Sequence, residues 1–235
     1  MSKPAVVSRE EWLDARKAHL AREKELTRLR DAVSEERRAL PWVKVDADYR
    51  FQGASGEQSL DDLFEGRSQL IVYHFMFDPS WEAGCKSCSY LADHFNPAIV
   101  HLNQKNITML AVSRAPLATL DAYKARMGWS FRWVSSQGST FNYDFGVSFT
   151  EEEKRTGRIN YNFTTSNFFS SEAPGISAFI KDENGDIFHT YSSYSRGLDR
   201  FITAYTLMDI SPRGRDEPAE GYTMGWLRRR DEYEG

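Results

Sequence analysis

The chain has 235 residues and a net charge of −4 at pH 7, with 40% hydrophobic and 14% aromatic residues. This is enough chain for one sizeable domain with additions, and its charges of mixed sign offer no basic surface for nucleic acid or for an anionic membrane. The longest apolar run, residues 70–77, is interrupted by His74 and is too short to span a bilayer. The N-terminus becomes charged at Arg9, before a signal-peptide core could form. We therefore expect a soluble, cytoplasmic protein that binds neither nucleic acid nor membranes.

The first predicted element is one long helix over residues 8–40. Ser8 and Glu11 have the spacing of a capping box, and Pro41 ends the helix. Apolar residues recur at helical spacing along it: Trp12, Leu13, Leu20, Leu26, Leu29, Val33 and Leu40. Because this stripe is too sparse for an isolated helix, residues 1–41 are predicted to be an N-terminal helical extension. It would pack on the chain's own core or, alternatively, form the arm of a homodimer.

The elements that follow occur in the order of a thioredoxin fold. Extended chain over residues 42–51 leads to a turn at 53–56 and a helical turn at 60–64. Buried strands are predicted at residues 69–77, 107–112 and 131–134, helices at 85–101 and 117–127, a hairpin at 176–180 and 187–191, and a last helix at 198–208. Asn96-Pro97 is predicted to kink or divide the helix over residues 85–101. Right-handed helical crossovers and an antiparallel hairpin would give an α/β fold, a mixed sheet flanked by helices, over residues 42–208.

Two further segments lie outside this minimum. Residues 135–174 form an insertion that is polar but rich in aromatic side chains, namely Phe141, Tyr143, Phe145, Phe149, Tyr161, Phe163, Phe168 and Phe169. A disordered linker would be poor in aromatics, so we expect the insertion to pack over the domain. Residues 209–235 are predicted to be a docked C-terminal extension. Its arginine run, residues 228–230, has acidic neighbours and is predicted to be solvated surface.

The only two cysteines, Cys85 and Cys88, follow a predicted strand and begin a helix. Three residues apart on a helix, they share one face and can form a disulfide without large backbone movement. The start of a helix favours negative charge, which could lower the thiol pKa of Cys85 to about 7. Lys86 adds a nearby cation, whereas Asp78 and Glu82 would oppose the thiolate. Trp81 and His74 are lower-ranked candidates for the rim of the site.

This arrangement predicts that Cys85 attacks a disulfide or a peroxide and that Cys88 resolves the product. In the cytoplasm a close cysteine pair is typically catalytic or metal-binding. A metal site would need two more ligands, and His94, His101 and His189 are not spaced as a second ligand pair. We therefore predict no metal and no cofactor.

Several stretches, in order and nearly from end to end, resemble the bacterial thioredoxin-like family DUF899. They are Glu35-Glu-Arg-Arg-Ala-Leu-Pro-Trp42, Asp62-Leu-Phe-Glu-Gly-Arg-Ser-Gln-Leu70, Tyr73-His-Phe-Met-Phe77, Gly84-Cys-Lys-Ser-Cys-Ser89, Ser113-Arg-Ala-Pro116, Arg126-Met-Gly-Trp129, Phe141-Asn-Tyr-Asp144 and Pro212-Arg-Gly-Arg215. The resemblance implies a thioredoxin-like fold and, by analogy, redox chemistry, but no substrate.

Two functions therefore remain as hypotheses. The first is a thiol–disulfide oxidoreductase or thiol-dependent reductase that uses Cys85 and Cys88, with an unknown thiol, disulfide or peroxide as its substrate. The second is a small-ligand-binding or partner-binding protein, without catalysis, in which the aromatic insertion encloses the ligand.

Overall fold

The computed structural model describes residues 4–168 and 170–234, so Phe169 and the outermost residues of both predicted extensions lie outside the described part. The chain forms two compact units, residues 1–41 and residues 42–235. None of the helices in the described ranges combines the length and the apolar character needed to cross a membrane.

The first unit contains helix α1, Arg9–Arg38, as predicted. Ser8 caps it: the Ser8 hydroxyl accepts a hydrogen bond from the Glu11 amide at 3.2 Å, and the Glu11 carboxylate accepts one from the Ser8 amide at 2.9 Å. This reciprocal pairing is the capping box that the sequence predicts. None of the residues of α1 is buried. Its function as a packing element or as a dimer arm remains a prediction.

The second unit is built on an eight-stranded mixed sheet. Its strands are β1 (Val43–Lys44), β2 (Arg50–Gly53), β3 (Gly56–Ser59), β4 (Gln69–His74), β5 (Ile107–Ser113), β6 (Trp133–Ser135), β9 (Gly175–Lys181) and β10 (Ile187–Tyr194), whereas β7 (Ile159–Tyr161) and β8 (Thr164–Ser166) form a separate hairpin. The strand order is β1-β10-β9-β4-β5-β6-β2-β3. Strands β4, β5 and β6 are parallel, and β9 and β10 are antiparallel to their neighbours.

Helices connect the parallel strands. Helices α2 (Lys86–Ala92) and α3 (Asn96–Asn103) join β4 to β5, α4 (Leu117–Met127) joins β5 to β6, and α7 (Thr203–Asp209) follows β10. Pro97 lies in the first turn of α3, where a missing N–H is tolerated, so the predicted division at Asn96-Pro97 is confirmed. With β5, β4, β9 and β10 side by side and the helices between them in this order, the fold is thioredoxin-like, as predicted.

Two elements differ from the prediction. Strand β3 pairs with β2 in an edge hairpin that the sequence did not indicate, because Glu57 and Gln58 give it no apolar alternation. The predicted last helix is two elements, a 3₁₀ helix over Ser195–Phe201 and then α7. The backbone of the buried residue Ile202 is extended, with φ −97° and ψ 92°, and this separates them.

The alternation of side chains along β4 divides the core into two layers. Tyr73 and Phe75 enter the larger cluster beneath α2 and α4, whereas Leu70 and Val72 enter the cluster on the opposite face of the sheet. The insertion adds α5 (Phe141–Asp144), α6 (Glu151–Thr156) and the β7–β8 hairpin.

The insertion supplies much of a third core cluster, whose buried members are Val147, Phe149, Ile159, Tyr161, Ala173 and Tyr194. Phe145 and Phe168 pack against this cluster and Phe141 is buried in the second one, whereas Phe163 is 85% exposed. Most of the aromatic residues in the described part of the insertion thus fill a secondary core.

Candidate functional site

The cysteine pair lies just beyond the carboxyl end of β4, at the start of α2. Cys85 is the residue that precedes the helix, with φ −55° and ψ 135°, and its amide donates a hydrogen bond of 3.3 Å to the carbonyl of Met76. Cys85 is partly exposed, and Cys88, one helical turn later, is only 1% exposed. Both are free thiols in this structure. Cys85 is therefore the more accessible cysteine of the pair, and Cys88 is enclosed.

Hydrogen bonds stabilise the thiolate of Cys85. The largest effect comes from the Cys88 side chain, and the amides of Cys88 and Ser87 and the Ser87 hydroxyl add to it. Together they outweigh burial, which acts in the other direction, and lower the pKa of Cys85 from 9.0 to about 7. A thiol with this pKa is substantially ionised at neutral pH, and the thiolate is the form that acts as a nucleophile.

Cys88 has the opposite tendency. Burial raises the pKa of the Cys88 thiol well above its ordinary value, and the neighbouring Cys85 raises it further. The Tyr73 hydroxyl donates a hydrogen bond of 3.3 Å to the Cys88 carbonyl from beneath. The pair therefore consists of a partly exposed cysteine whose thiolate is stabilised and a buried cysteine whose thiol form is favoured.

Side chains from two distant parts of the chain, together with Ser89 of α2, form a network around the peptide that precedes Cys85. The Arg229 guanidinium donates from Nη2 to the Gly84 carbonyl at 2.9 Å and from Nε to the Tyr123 hydroxyl at 2.8 Å. Ser89 completes the network, because its hydroxyl donates to the Cys85 carbonyl at 2.8 Å and lies 2.9 Å from the Tyr123 hydroxyl. This network links the C-terminal extension and α4 to both residues that begin the cysteine turn.

The sequence did not indicate these contacts. Arg229 belongs to the arginine run that was predicted to be solvated, yet its side chain is only 15% exposed. A second contact from the same extension joins Tyr222 to Ser87, with 3.0 Å between the hydroxyl oxygens. Arg229 and Gly84 are 145 residues apart in the chain, so no local pattern could have paired them. Ser87 could have been singled out from the sequence, because it lies between the two cysteines and therefore at the start of the predicted helix.

Only some of the supporting residues predicted from the sequence lie near the cysteine pair. Lys86 is exposed at the first position of α2, and the main causes of the lowered pKa of Cys85 are hydrogen bonds from Cys88 and Ser87. Trp81 is partly buried and packs against the same core cluster as Cys85.

His74 lies away from the cysteines, on the opposite face of the sheet. It alternates with Tyr73 along β4, and its ring stacks on Phe145 with 5.7 Å between the ring centres. Nε2 is 2.8 Å from the Ser177 hydroxyl, and burial lowers the pKa of His74 to about 3. His74 is therefore a neutral core residue that does not contribute to the rim of the thiol site.

A buried ionic cluster fixes the loop that carries the cysteines to the insertion. Arg114 follows β5 and donates to the Glu172 carboxylate at 2.6 Å and to the Asp78 carboxylate at 3.0 Å. Glu172 is 1% exposed, and burial raises its pKa to about 7 although Arg114 opposes this shift. Asp78, which was expected to oppose the Cys85 thiolate, is thus paired with a cation.

Residues 4–168 and 170–234 contain no group of three or more His, Cys, Asp or Glu side chains arranged to hold a metal ion. His94, one of the candidates for a metal ligand, uses both ring nitrogens inside the fold. Nδ1 is 2.8 Å from the Tyr90 carbonyl, and Nε2 accepts a hydrogen bond from the Ala204 amide at 3.2 Å.

The family described as "Bacterial protein of unknown function (DUF899)" matches residues 1–233. Among solved structures, a mutant of peroxiredoxin Q from Xanthomonas campestris is similar at 14% identity with a TM-score of 0.47, over 72% of this chain and 98% of that chain. Peroxidoxin BcpB from Mycobacterium tuberculosis is similar at 14% identity with a TM-score of 0.45, over 73% and 98% of the respective chains. A search of the curated proteins found no match.

Proposed function

The chain belongs to the DUF899 family, and we propose that it is a thiol-dependent reductase in which Cys85 is the nucleophile and Cys88 the resolving thiol. One asymmetry carries this proposal. Cys85 is partly exposed and its pKa is lowered to about 7, whereas Cys88 is buried and its pKa is raised. This difference supports separate residues for the two steps of a thiol reaction.

With a disulfide as substrate, the Cys85 thiolate attacks one sulfur and the other leaves as a thiolate, so a mixed disulfide forms. Cys88 then loses its proton, attacks Cys85 and releases the second half of the substrate as a thiolate. With a hydroperoxide, Cys85 becomes a sulfenic acid and an alcohol or water is released, and Cys88 then displaces water. Both routes end with a Cys85–Cys88 disulfide, which an external thiol must reduce.

The alternative hypothesis, a binding protein without catalysis, rested on the aromatic insertion. Because most of those described side chains pack into core clusters, no contact favours an enclosed ligand, and the thiol reaction is the function we propose.

The test is the pH dependence of alkylation, combined with oxidation of the reduced protein. We expect the rate of iodoacetamide alkylation of Cys85 to rise with a midpoint near pH 7, because its pKa is lowered to about 7. Treatment with hydrogen peroxide or a small disulfide should then give an intramolecular Cys85–Cys88 disulfide in the wild-type protein and none in Cys85→Ser. A midpoint at the ordinary thiol value of about 8.5, without disulfide formation, would contradict the proposal.

A further inference from the structure

The C-terminal segment, defined as residues 222–232, lies beside the reactive thiol. Its 3₁₀ helix, Thr223–Trp226, brings Met224 against the core cluster on which Cys85 and Trp81 also pack. Trp226 contacts Tyr90 of α2 edge to face, with 5.8 Å between the ring centres. The surface around the start of α2 is thus built partly from the far end of the same chain.

Two hydrogen-bonded contacts attach this segment on either side of Cys85 in the sequence. Arg229 holds the carbonyl of Gly84, the residue before Cys85, and Tyr222 pairs with Ser87, two residues after it. The segment is anchored farther away as well. Leu227 is 2% exposed, and the carboxylates of Asp231 and Glu232 accept from Arg126 of α4 at 2.7 Å and 3.1 Å.

A macromolecular disulfide must lay its own backbone and neighbouring side chains next to the sulfur that it exchanges with. Two groups next to Cys85 where such a contact would form, the Gly84 carbonyl and the Ser87 hydroxyl, are already hydrogen-bonded to the C-terminal segment. A small molecule needs to reach only the Cys85 side chain, and Cys85 is partly exposed.

We infer that the substrate of Cys85 is a small disulfide or hydroperoxide, and that the C-terminal segment, anchored by Arg229, excludes protein disulfides. This inference rests on the proposed thiol reaction and names its substrate class. Arg229 is the specificity-determining residue, because its guanidinium joins the segment to the peptide that precedes the nucleophile and to Tyr123.

The test compares two reagents with the same chemistry and different size, N-ethylmaleimide and a maleimide carried on a long polyethylene glycol chain. The measured quantity is the rate of Cys85 alkylation by the large reagent divided by the rate with the small one. We expect this ratio to be at least about tenfold lower in the reduced, folded wild-type protein than in urea-unfolded protein. The Cys85→Ser variant keeps only the buried thiol of Cys88, so the alkylation that it lacks relative to the wild-type protein is the alkylation of Cys85.

Arg229→Ala should raise the rate with the large reagent about tenfold relative to the rate with the small one, because a hydrogen bond to a charged group contributes at least that factor. Arg228→Ala is the matched control. It removes the same charge from the adjacent position, but the Arg228 guanidinium donates to the carbonyls of Gly225 and Leu227, which belong to its own segment. If Arg229→Ala does not fold, Tyr222→Phe tests the second attachment, with a smaller increase expected.

The inference would be overturned if the ratio of the two alkylation rates were the same in folded and unfolded wild-type protein. It would also be overturned if neither Arg229→Ala nor Tyr222→Phe changed that ratio. Either result would leave the proposed chemistry intact. In a turnover assay, reduction of insulin disulfides as fast as hydroxyethyl disulfide would also overturn the inference. Slow alkylation by both maleimides at neutral pH would instead overturn the proposed function, so the two failures are distinguishable.

Discussion

Cys85 and Cys88 differ in ionisation although they are chemically identical and three residues apart. The difference arises from burial, which raises the pKa of Cys88, and from the Cys88 side chain, which is the largest cause of the lowered pKa of Cys85. The pKa of Cys85 therefore depends on Cys88. This dependence can be tested by replacing Cys88 with a small residue whose side chain cannot donate a hydrogen bond.

Cys88→Ala is expected to raise the pKa of Cys85 by about one unit, because a hydrogen bond to a charged group is worth about 1.5 kcal/mol and one pKa unit corresponds to about 1.4 kcal/mol. Cys88→Ser is the matched variant, since its hydroxyl can still donate and should leave the midpoint close to that of the wild-type protein. The pH dependence of iodoacetamide alkylation measures both. A midpoint unchanged in Cys88→Ala would show that the amides and Ser87 suffice to stabilise the thiolate.

At the scale of elements, the turn between β4 and α2 depends on close packing as much as on hydrogen bonds. A Cβ atom added at Gly84 would lie 2.6 Å from Cε1 of Phe75 and 3.0 Å from a ring carbon of Tyr123. The contact with Phe75 is shorter than Cβ atoms in folded proteins make and the one with Tyr123 is unusually tight, and the Gly84 backbone is held at its carbonyl by Arg229. Glycine is therefore required here by the approach of neighbouring rings.

Gly84→Ala should lower the free energy of unfolding by about 1–3 kcal/mol, the usual effect of overpacking a dense core. Urea denaturation followed by circular dichroism measures this change. Gly225→Ala serves as the control, since the nearest atom to its added Cβ would be a Tyr222 ring carbon at 3.9 Å. Equal stability of the two variants would contradict the packing argument.

At the scale of the whole molecule, the described apolar side chains that are buried all fall between Tyr49 and Leu227. The core is therefore made by residues 42–235, the second compact unit. Helix α1 has its own capping box and ion pairs along its surface, such as Arg22 with Glu25 at 2.6 Å. Those are local interactions that contribute little to the stability of a folded core.

Deletion of residues 1–41 is expected to leave a cooperatively folding protein whose Tm changes by less than about 4 °C, because none of the side chains described in residues 4–41 is buried. Differential scanning calorimetry measures this. Light scattering of the same two proteins tests the predicted homodimer: a dimer that α1 mediates should become a monomer on deletion. Equal oligomeric states would rule out a dimer through α1, and a loss of cooperative unfolding would contradict the assignment of the core.

Local patterns allowed much of the fold to be predicted. The capping box of α1, the buried strands β4 and β5, the bounds of α4 and the division at Pro97 each follow from residues close together in the chain. Strand β3 was missed because an edge strand of polar residues has no periodicity to detect. The break at Ile202 was missed because an apolar residue inside a helical pattern gives no local sign of extended backbone.

The sequence by itself placed the two cysteines between a buried strand and a helix, since strand periodicity, loop and helix start are local properties of the chain. Only the tertiary structure decided which sulfur is enclosed, which face His74 takes and what lies beside Cys85. Arg229, Tyr123 and Tyr222 approach the site from positions far apart in the sequence. Such contacts depend on how the elements pack, and packing depends on the whole set of side chains at once.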